Sequence, residues 1–369
     1  MLSEHIEELL RFLERAKGGR GFSVVVMPDF FLDRFVSYDG DVKDFCKVIS
    51  DVASRKGGSI DGVRQMDFRG GNAANTAAAL AVLGASVRPI IHTSSLGLAL
   101  LKHYFQPYEM DLSHVKVEGE TSTTTAIELI HKKERVNVML RDLGSLANFN
   151  LSDLTLKDYQ LLEEVDYVCV FNWAGTRQHG TELARTVFSH IKRRGKGKTY
   201  YDTADPTPNR NEILTLMKEV LCTNLVDVLS LNENETAQYA SKLNPQRVAK
   251  LQKSMRLSEV AKECARILAQ NLTARIDLHA TTYAGTFTRN KETIVPALKV
   301  SVKRITGAGD AWNAANLYAD ANDFPDGLRL TFANGVAAYY ISNQRAEHPT
   351  LSQLRKFLQK YKSKMAWKE

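Results

Sequence analysis

One short run of small residues ending in an acid, Thr306-Gly307-Ala308-Gly309-Asp310, carries the clearest chemistry in the sequence. A Gly-Ala-Gly turn in front of a helix lets successive N–H groups converge on one point, where the macrodipole also favours negative charge. Such a turn is an anion hole for a phosphoryl group in transit. Asp310, one residue past the last glycine, is placed to take a proton from an attacking hydroxyl. The plainer alternative is that Asp310 caps the helix. A second string, Arg69-Gly70-Gly71-Asn72-Ala73-Ala74-Asn75, has two glycines that let a ligand approach the backbone, and an Asn75 able both to donate and to accept. The same residues also suit a helix cap with packing glycines.

Three further groups are weaker. Pro28-Asp29-Phe30-Phe31-Leu32-Asp33 follows a strand, where a carboxylate binds hydroxyls or simply makes a turn. Asn232 and Glu235 are three apart and share one face of a starting helix; the carboxylate there orders waters around Mg²⁺ or merely complements the dipole. Arg141 after a hairpin and Asn172 after a strand reach an acceptor, or make a surface ion pair and a turn. His279 reads as a structural strand residue, and Asp205 before Pro206 as a turn near nucleotide phosphates at most.

The elements that position these groups are legible from periodicity. Leu2 to Ala16 forms an amphipathic helix ended by Gly18-Gly19, and Ser23 to Met27 is a strand. A helix runs from Asn75 to Leu83 and stops at Gly84. Thr121 to Leu140 alternates around His131-Lys132-Lys133-Glu134 as an antiparallel hairpin. From Val165 onward strands alternate with helices: Tyr167 to Phe171, Glu182 to Lys192, Thr199 to Asp202, Val226 to Leu231, Leu257 to Leu268 and Arg275 to Thr281, then helices from Ala311 and Leu328. This alternation predicts an α/β fold with a mostly parallel central sheet covered on both faces, and ligands at the carboxyl ends of its strands.

Composition narrows the class. The chain has 369 residues, 44% hydrophobic and 25% charged, which excludes a disordered tail and a disulfide miniprotein. The net charge of +7 is spread out. The cluster Lys192, Arg193, Arg194, Lys196 and Lys198 lacks interleaved aromatics, so no nucleic-acid partner is expected. Four separated cysteines (Cys46, Cys169, Cys222, Cys264) form no metal spacing and suggest a reducing compartment. With no long apolar run and an acidic N-terminus, a soluble cytoplasmic protein without membrane contact is expected.

Taken in order, the strings resemble the PfkB/ribokinase family of carbohydrate kinases. Gly70-Gly71-x-x-x-Asn75 looks like its N-terminal signature, Thr306 to Asp310 its C-terminal one, and Asn232-x-x-Glu235 its Asn-x-x-Glu motif. The resemblance runs from about Val24 to Pro349-Thr350-Leu351 and implies a ribokinase-like three-layer sandwich with a small β-sheet lid. Residues 1–20 would be a helical extension and 21–369 the kinase domain, with lid segments within 36–68 and 112–142. It further implies ATP and Mg²⁺ as cofactors, with a monovalent cation as an option. Asp310 would be the base, and the amides of Gly307, Ala308 and Gly309 the anion hole. Asp33, Gly71 and Asn75, joined by Arg141 and Asn172, would bind a sugar, polyol or nucleoside. Asn232, Thr282, Gly285, Thr306 and Asn334 would line the nucleotide side, and Glu235 would meet the metal through water. A homodimer through the lid edge would cover unpaired strands.

Departures are Arg304 in place of an acid at the opening of the second signature, Pro28 for a glycine, and Ala315 for a glycine. Alternatives are a nucleoside or inositol kinase, an ADP-dependent enzyme, or a non-catalytic sugar- or nucleotide-binding regulator. A Rossmann dehydrogenase is disfavoured, because no Gly-x-Gly-x-x-Gly follows the first strand.

Overall fold

Among the described residues twelve strands form: β1 (Ser23–Met27), β2 (Phe31–Asp41), β3 (Arg64–Gly70), β4 (Ser86–Pro89), β5 (Ser122–His131), β6 (Glu134–Asp142), β7 (Tyr167–Phe171), β8 (Lys198–Asp202), β9 (Val228–Leu231), β10 (Arg275–His279), β11 (Tyr283–Phe287) and β12 (Glu292–Pro296). The computed structural model describes residues 2–15, 21–108, 110–132, 134–343, 345 and 347–366. The expected helix end at Ala16, its Gly18-Gly19 stop and Lys133 of the hairpin turn lie outside them.

Eight strands make one sheet in the order β12-β11-β10-β9-β8-β7-β1-β4. It is parallel from β10 through β4, and β11 and β12 pair antiparallel at one edge. Strands β1 and β7 are short and carry no charged residue, as suits strands covered on both faces. Val24 and Val26 enter the core on one side, with the helices Asn72–Val82, Ala308–Ala321 and Asp326–Ile341. Val25 and Met27 enter the other, with the helices Gly180–Arg194 and Leu257–Asn271. That strand alternation joins two apolar layers through one sheet. The helix Leu2–Arg15 is part of the first layer rather than an appendage: Ile6 and Leu9 are fully buried, and the Phe12 and Phe324 rings lie 4.2 Å apart.

The second sheet, β3-β2-β5-β6, has four strands. The β5–β6 hairpin matches the expectation from alternation. The other half differs from it. The sheet begins at Phe31 rather than near Val36, and Val42–Ser54 inside the segment is a helix. Residues 112–121 contribute no strand to it. In β2 the acids Asp33, Asp39 and Asp41 break the apolar alternation, because this sheet leaves much of its surface to water. Arg141 lies within β6, not after it.

Candidate active site

The parallel strands end together, and their ends build a cleft of about 570 Å³. Asp29 follows β1, Asn172 follows β7, Asp202 closes β8, Asn232 follows β9 and His279 closes β10; all five line the cleft. The small sheet supplies the opposite wall with Phe31, Asp33, Thr124, Met139 and Arg141.

Two helices point their N-termini into this space. In the first, Gly71 has φ +92°, and a Cβ there would lie 2.9 Å from Phe30 Cα and 3.0 Å from the Asp29 carbonyl oxygen. Only glycine lets the chain pass. The Asp29 carboxylate then accepts the N–H groups of Asn72 (2.9 Å) and Ala73 (2.7 Å), and the Nδ2 of Asn172 (2.8 Å). It caps the helix from outside its own segment. Gly70 is required for another reason: a Cβ there would lie 2.2 Å from Asp33 Oδ2.

In the second helix Gly307 is left-handed (φ +85°), and Asp310 stands in the first turn, 6% exposed. Its two carboxylate oxygens accept from Asn72 Nδ2 and Asn75 Nδ2, both at 2.9 Å. The N–H of Ala308 turns back onto the Ile305 carbonyl (3.1 Å), so of the three expected anion-hole amides it is the one already engaged. Arg304 lies between the rings of Phe68 (5.5 Å) and Tyr340 (5.3 Å), and its Nε donates to the Thr306 carbonyl (3.3 Å).

The electrostatics are lopsided. Asp29, Asp33, Asp202, Asp205, Glu235 and Asp310 line the cleft with Arg141 as the cationic side chain of its wall. Burial raises the carboxyls of Asp29, Asp33, Glu235 and Asp310, and brings Asp202 up to about 6. The charges of Asp202 and Asp29 push Asp310 further up, and its bonds to Asn75 and Asn72 pull it back. Burial also lowers the His279 imidazole to about 4, which fits its reading as a neutral strand residue.

Glu235 closes a capping box with Asn232. Its oxygens accept from Asn232 N (2.9 Å) and Asn232 Nδ2 (2.7 Å), and Asn232 Oδ1 accepts in return from Glu235 N (3.0 Å). With both oxygens so occupied, Glu235 suits contact with a metal through water rather than direct ligation. No group of three or more acidic, His or Cys side chains able to hold a metal occurs among the described residues.

The cleft therefore brings together Asp33, Gly71, Asn75, Arg141, Asn172, Asn232, Glu235, Thr306, Gly307, Ala308, Gly309 and Asp310. Thr282, Gly285 and Asn334 do not line it. Thr282 precedes β11, and its carbonyl accepts from Ala297 N. Gly285 sits mid-strand in β11, where a Cβ would meet Phe287 at 2.7 Å. The Asn334 amide is taken up by Trp312 Nε1 (3.0 Å) and the Pro296 carbonyl (3.1 Å). Sequence reasoning named Asp29 and Asn72 only as members of their strings, with no role of their own, and gave none to Thr124 or Asp202. A usable signal existed for Asp29 and Asp202, since each is an acid at the end of a buried parallel strand.

A mostly parallel eight-stranded sheet with a separate small four-stranded sheet is a ribokinase-like α/β fold, and the family matched below is one of phosphotransferases with an alcohol acceptor. A model of the pfkB family of carbohydrate kinases matches residues 47–353, and the chain belongs to that family. A search of curated proteins finds no match. Among solved structures, ribokinase from Thermotoga maritima superposes with a TM-score of 0.65 at 16% identity, over 92% of this chain and 99% of that one. Arabidopsis thaliana ribokinase complexed with ribose and ATP gives 0.67 at 15%, over 92% and 99%. Adenosine kinase from Sinorhizobium meliloti gives 0.67 at 13%, over 91% and 99%. At such identities the likeness is one of fold.

Proposed function

We propose that the chain transfers the γ-phosphoryl group of ATP to a hydroxyl of a sugar or related polyol, with Asp310 as the base. The observation that carries this reading is that the Asp310 carboxylate shares one cleft with the Gly307–Gly309 turn and with Gly71. Asp33, Asn172 and Arg141 orient the acceptor, and Asp310 takes the hydroxyl proton as the new bond forms. The amides of Gly307 and Gly309, with the helix dipole behind them, hold the charge that develops on the phosphoryl oxygens. Asn232, Glu235 and Thr306 line the donor end. Mg²⁺ bound to the triphosphate would neutralise charge there, meeting Glu235 through water. A monovalent cation is not part of the reading, because Arg304 already sets a fixed positive charge on the Thr306 carbonyl. Phe31 and Met139 give the acceptor wall an apolar patch, and this favours a nucleoside as the second reading.

The free edge of β6 exposes Val138, Met139 and Leu140 at 46, 50 and 58%. A second copy pairing there would cover them, which light scattering checks as a dimer mass. Among the described residues no helix is long and apolar enough to cross a membrane, and the four cysteines are unpaired. Unpaired cysteines accord with a reducing compartment. The deciding experiment is a coupled ADP-release screen with ATP over pentoses, hexoses, polyols and nucleosides, run beside Asp310→Asn. The variant is expected to lose about 10²–10⁴ in kcat. Near wild-type turnover rejects Asp310 as base; tight nucleotide binding with no acceptor-dependent release points to a regulator.

A further inference from the structure

Arg69 opens the Gly70-Gly71 string but does not itself line the cleft, yet it lies one side chain, Asn75, behind the Asp310 carboxylate. It is the penultimate residue of β3, and its Nε donates to Asn75 Oδ1 at 3.2 Å. Its Nη2 meets His348 Nε2 at 3.3 Å, and its guanidinium lies 5.7 Å over the Phe105 ring. Among the described residues it forms no ion pair with a carboxylate, although its side chain is half-buried. A half-buried cation so placed needs acceptors, and here they are an amide oxygen and a ring nitrogen.

The chemistry of the donors fixes every orientation in the chain. A guanidinium only donates, so Asn75 must turn its oxygen toward Arg69, and His348 must offer an unprotonated Nε2. His348 is buried beside Arg69 and Arg304, and stays neutral for that reason. With its oxygen held, Asn75 has only its NH₂ left for Asp310, and an ionised carboxylate only accepts. The bond at 2.9 Å to Asp310 Oδ2 then has one polarity. Without Arg69 the amide is free to turn over and offer oxygen to oxygen, which favours the protonated acid.

We propose that Arg69 is a positioning residue for the phosphotransfer base, acting through Asn75 to hold the Asp310 carboxylate ionised and in place. This rests on the reading of Asp310 as base. It assigns to Asn75 a structural duty beside acceptor binding, and couples strand β3 of the small sheet to the reacting end of the cleft. Other charged or titratable groups face Asp310 from neighbouring elements. Asp29 follows β1, Asp202 ends β8, Tyr340 lies on the Asp326–Ile341 helix, and His279 of β10 packs against Gly309 and Trp312. All remain in an Arg69 variant, so a change there reports Arg69, acting through Asn75 and through its own charge on Asp310.

The test needs no acceptor. The full chain is labelled with ¹³Cγ-aspartate, and the Asp310 resonance is assigned by its absence in Asp310→Asn. Arg69→Met is expected to raise the Asp310 midpoint by about one pH unit. Arg69→Lys, which also only donates, is expected to leave it near wild type. Arg69→Gln can accept as well as donate, so it no longer fixes the Asn75 amide; it is expected to give an upward shift too, and serves if Arg69→Met does not fold. An unchanged or lowered midpoint in a folded Met or Gln variant overturns the proposal. That result leaves the base reading intact, which stands or falls on the turnover of Asp310→Asn.

Discussion

Replacing Asp29 with Asn asks whether a residue to which the family resemblance gives no role organises the site. The carboxylate takes three donors within 2.7–2.9 Å, two of them the first amides of the Asn72–Val82 helix. An amide oxygen has two lone pairs, so one of the three donors is left facing an NH₂. That orphan costs about 1–3 kcal/mol, and losing the negative charge at the helix start costs about 0.3–2 more. Against this, burial holds the Asp29 carboxyl above its ordinary range, and a neutral side chain escapes that penalty. The net is a destabilisation of about 1–3 kcal/mol, or about 1–4 °C in Tm for a chain of this length. Kinetics give an independent sign. The Asp29 charge helps push the Asp310 carboxyl up, so Asp29→Asn moves the acidic limb of the kcat/KM–pH profile downward, while looser Asn72 and Asn75 lower kcat by about tenfold. Calorimetry and a pH–rate series read both. An unchanged Tm together with an acidic limb moved upward would refute the reasoning.

Three further outcomes follow from particular contacts. Gly71→Ala meets backbone at 2.9 Å in a left-handed conformation, so it costs at least about 1–2 kcal/mol of stability by urea titration and reduces turnover more than it raises donor KM. Arg304→Ala removes two ring contacts that tie Phe68 of the small sheet to Tyr340. It should lower stability by about 1–2 kcal/mol and speed hydrogen exchange selectively in β3. Five cleft carboxyls have raised values, so the ligand-free fold binds more protons than the unfolded chain. Its Tm should rise as pH falls from about 8 to about 6. Below about 6.5 the lowered His279 and His348 oppose that gain, and in stronger acid the lowered carboxyls of Asp277 and Asp320 reverse it.

The main sheet was legible because its strands are short apolar runs between helical periods, as at Tyr167–Phe171. The small sheet was legible only in its hairpin. Strand β2 hid because its acids serve the cleft and the solvent rather than the core. In the site, residues carried by a turn or a helix start, such as Gly307 and Asp310, could be read from local spacing. Asp29 capping a helix 43 positions later by sequence number, or Arg69 reaching His348, depends on packing between distant segments that no local pattern encodes. Asn334 was given a nucleotide role by the resemblance alone, and its bond to Trp312, from one helix to another, is one that no local pattern encodes.

The cleft draws its wall from segments spread between Asp29 and Asp310, each delivered by a different strand end or helix start. No half of the chain holds a usable fragment of it, and the helix bearing Asp310 can meet Asn72 only after the intervening strands have paired. Such long-range closure is slow and comes late in assembly. Regain of turnover during refolding would then lag behind regain of helix signal, and would serve as a clock for the last step of folding.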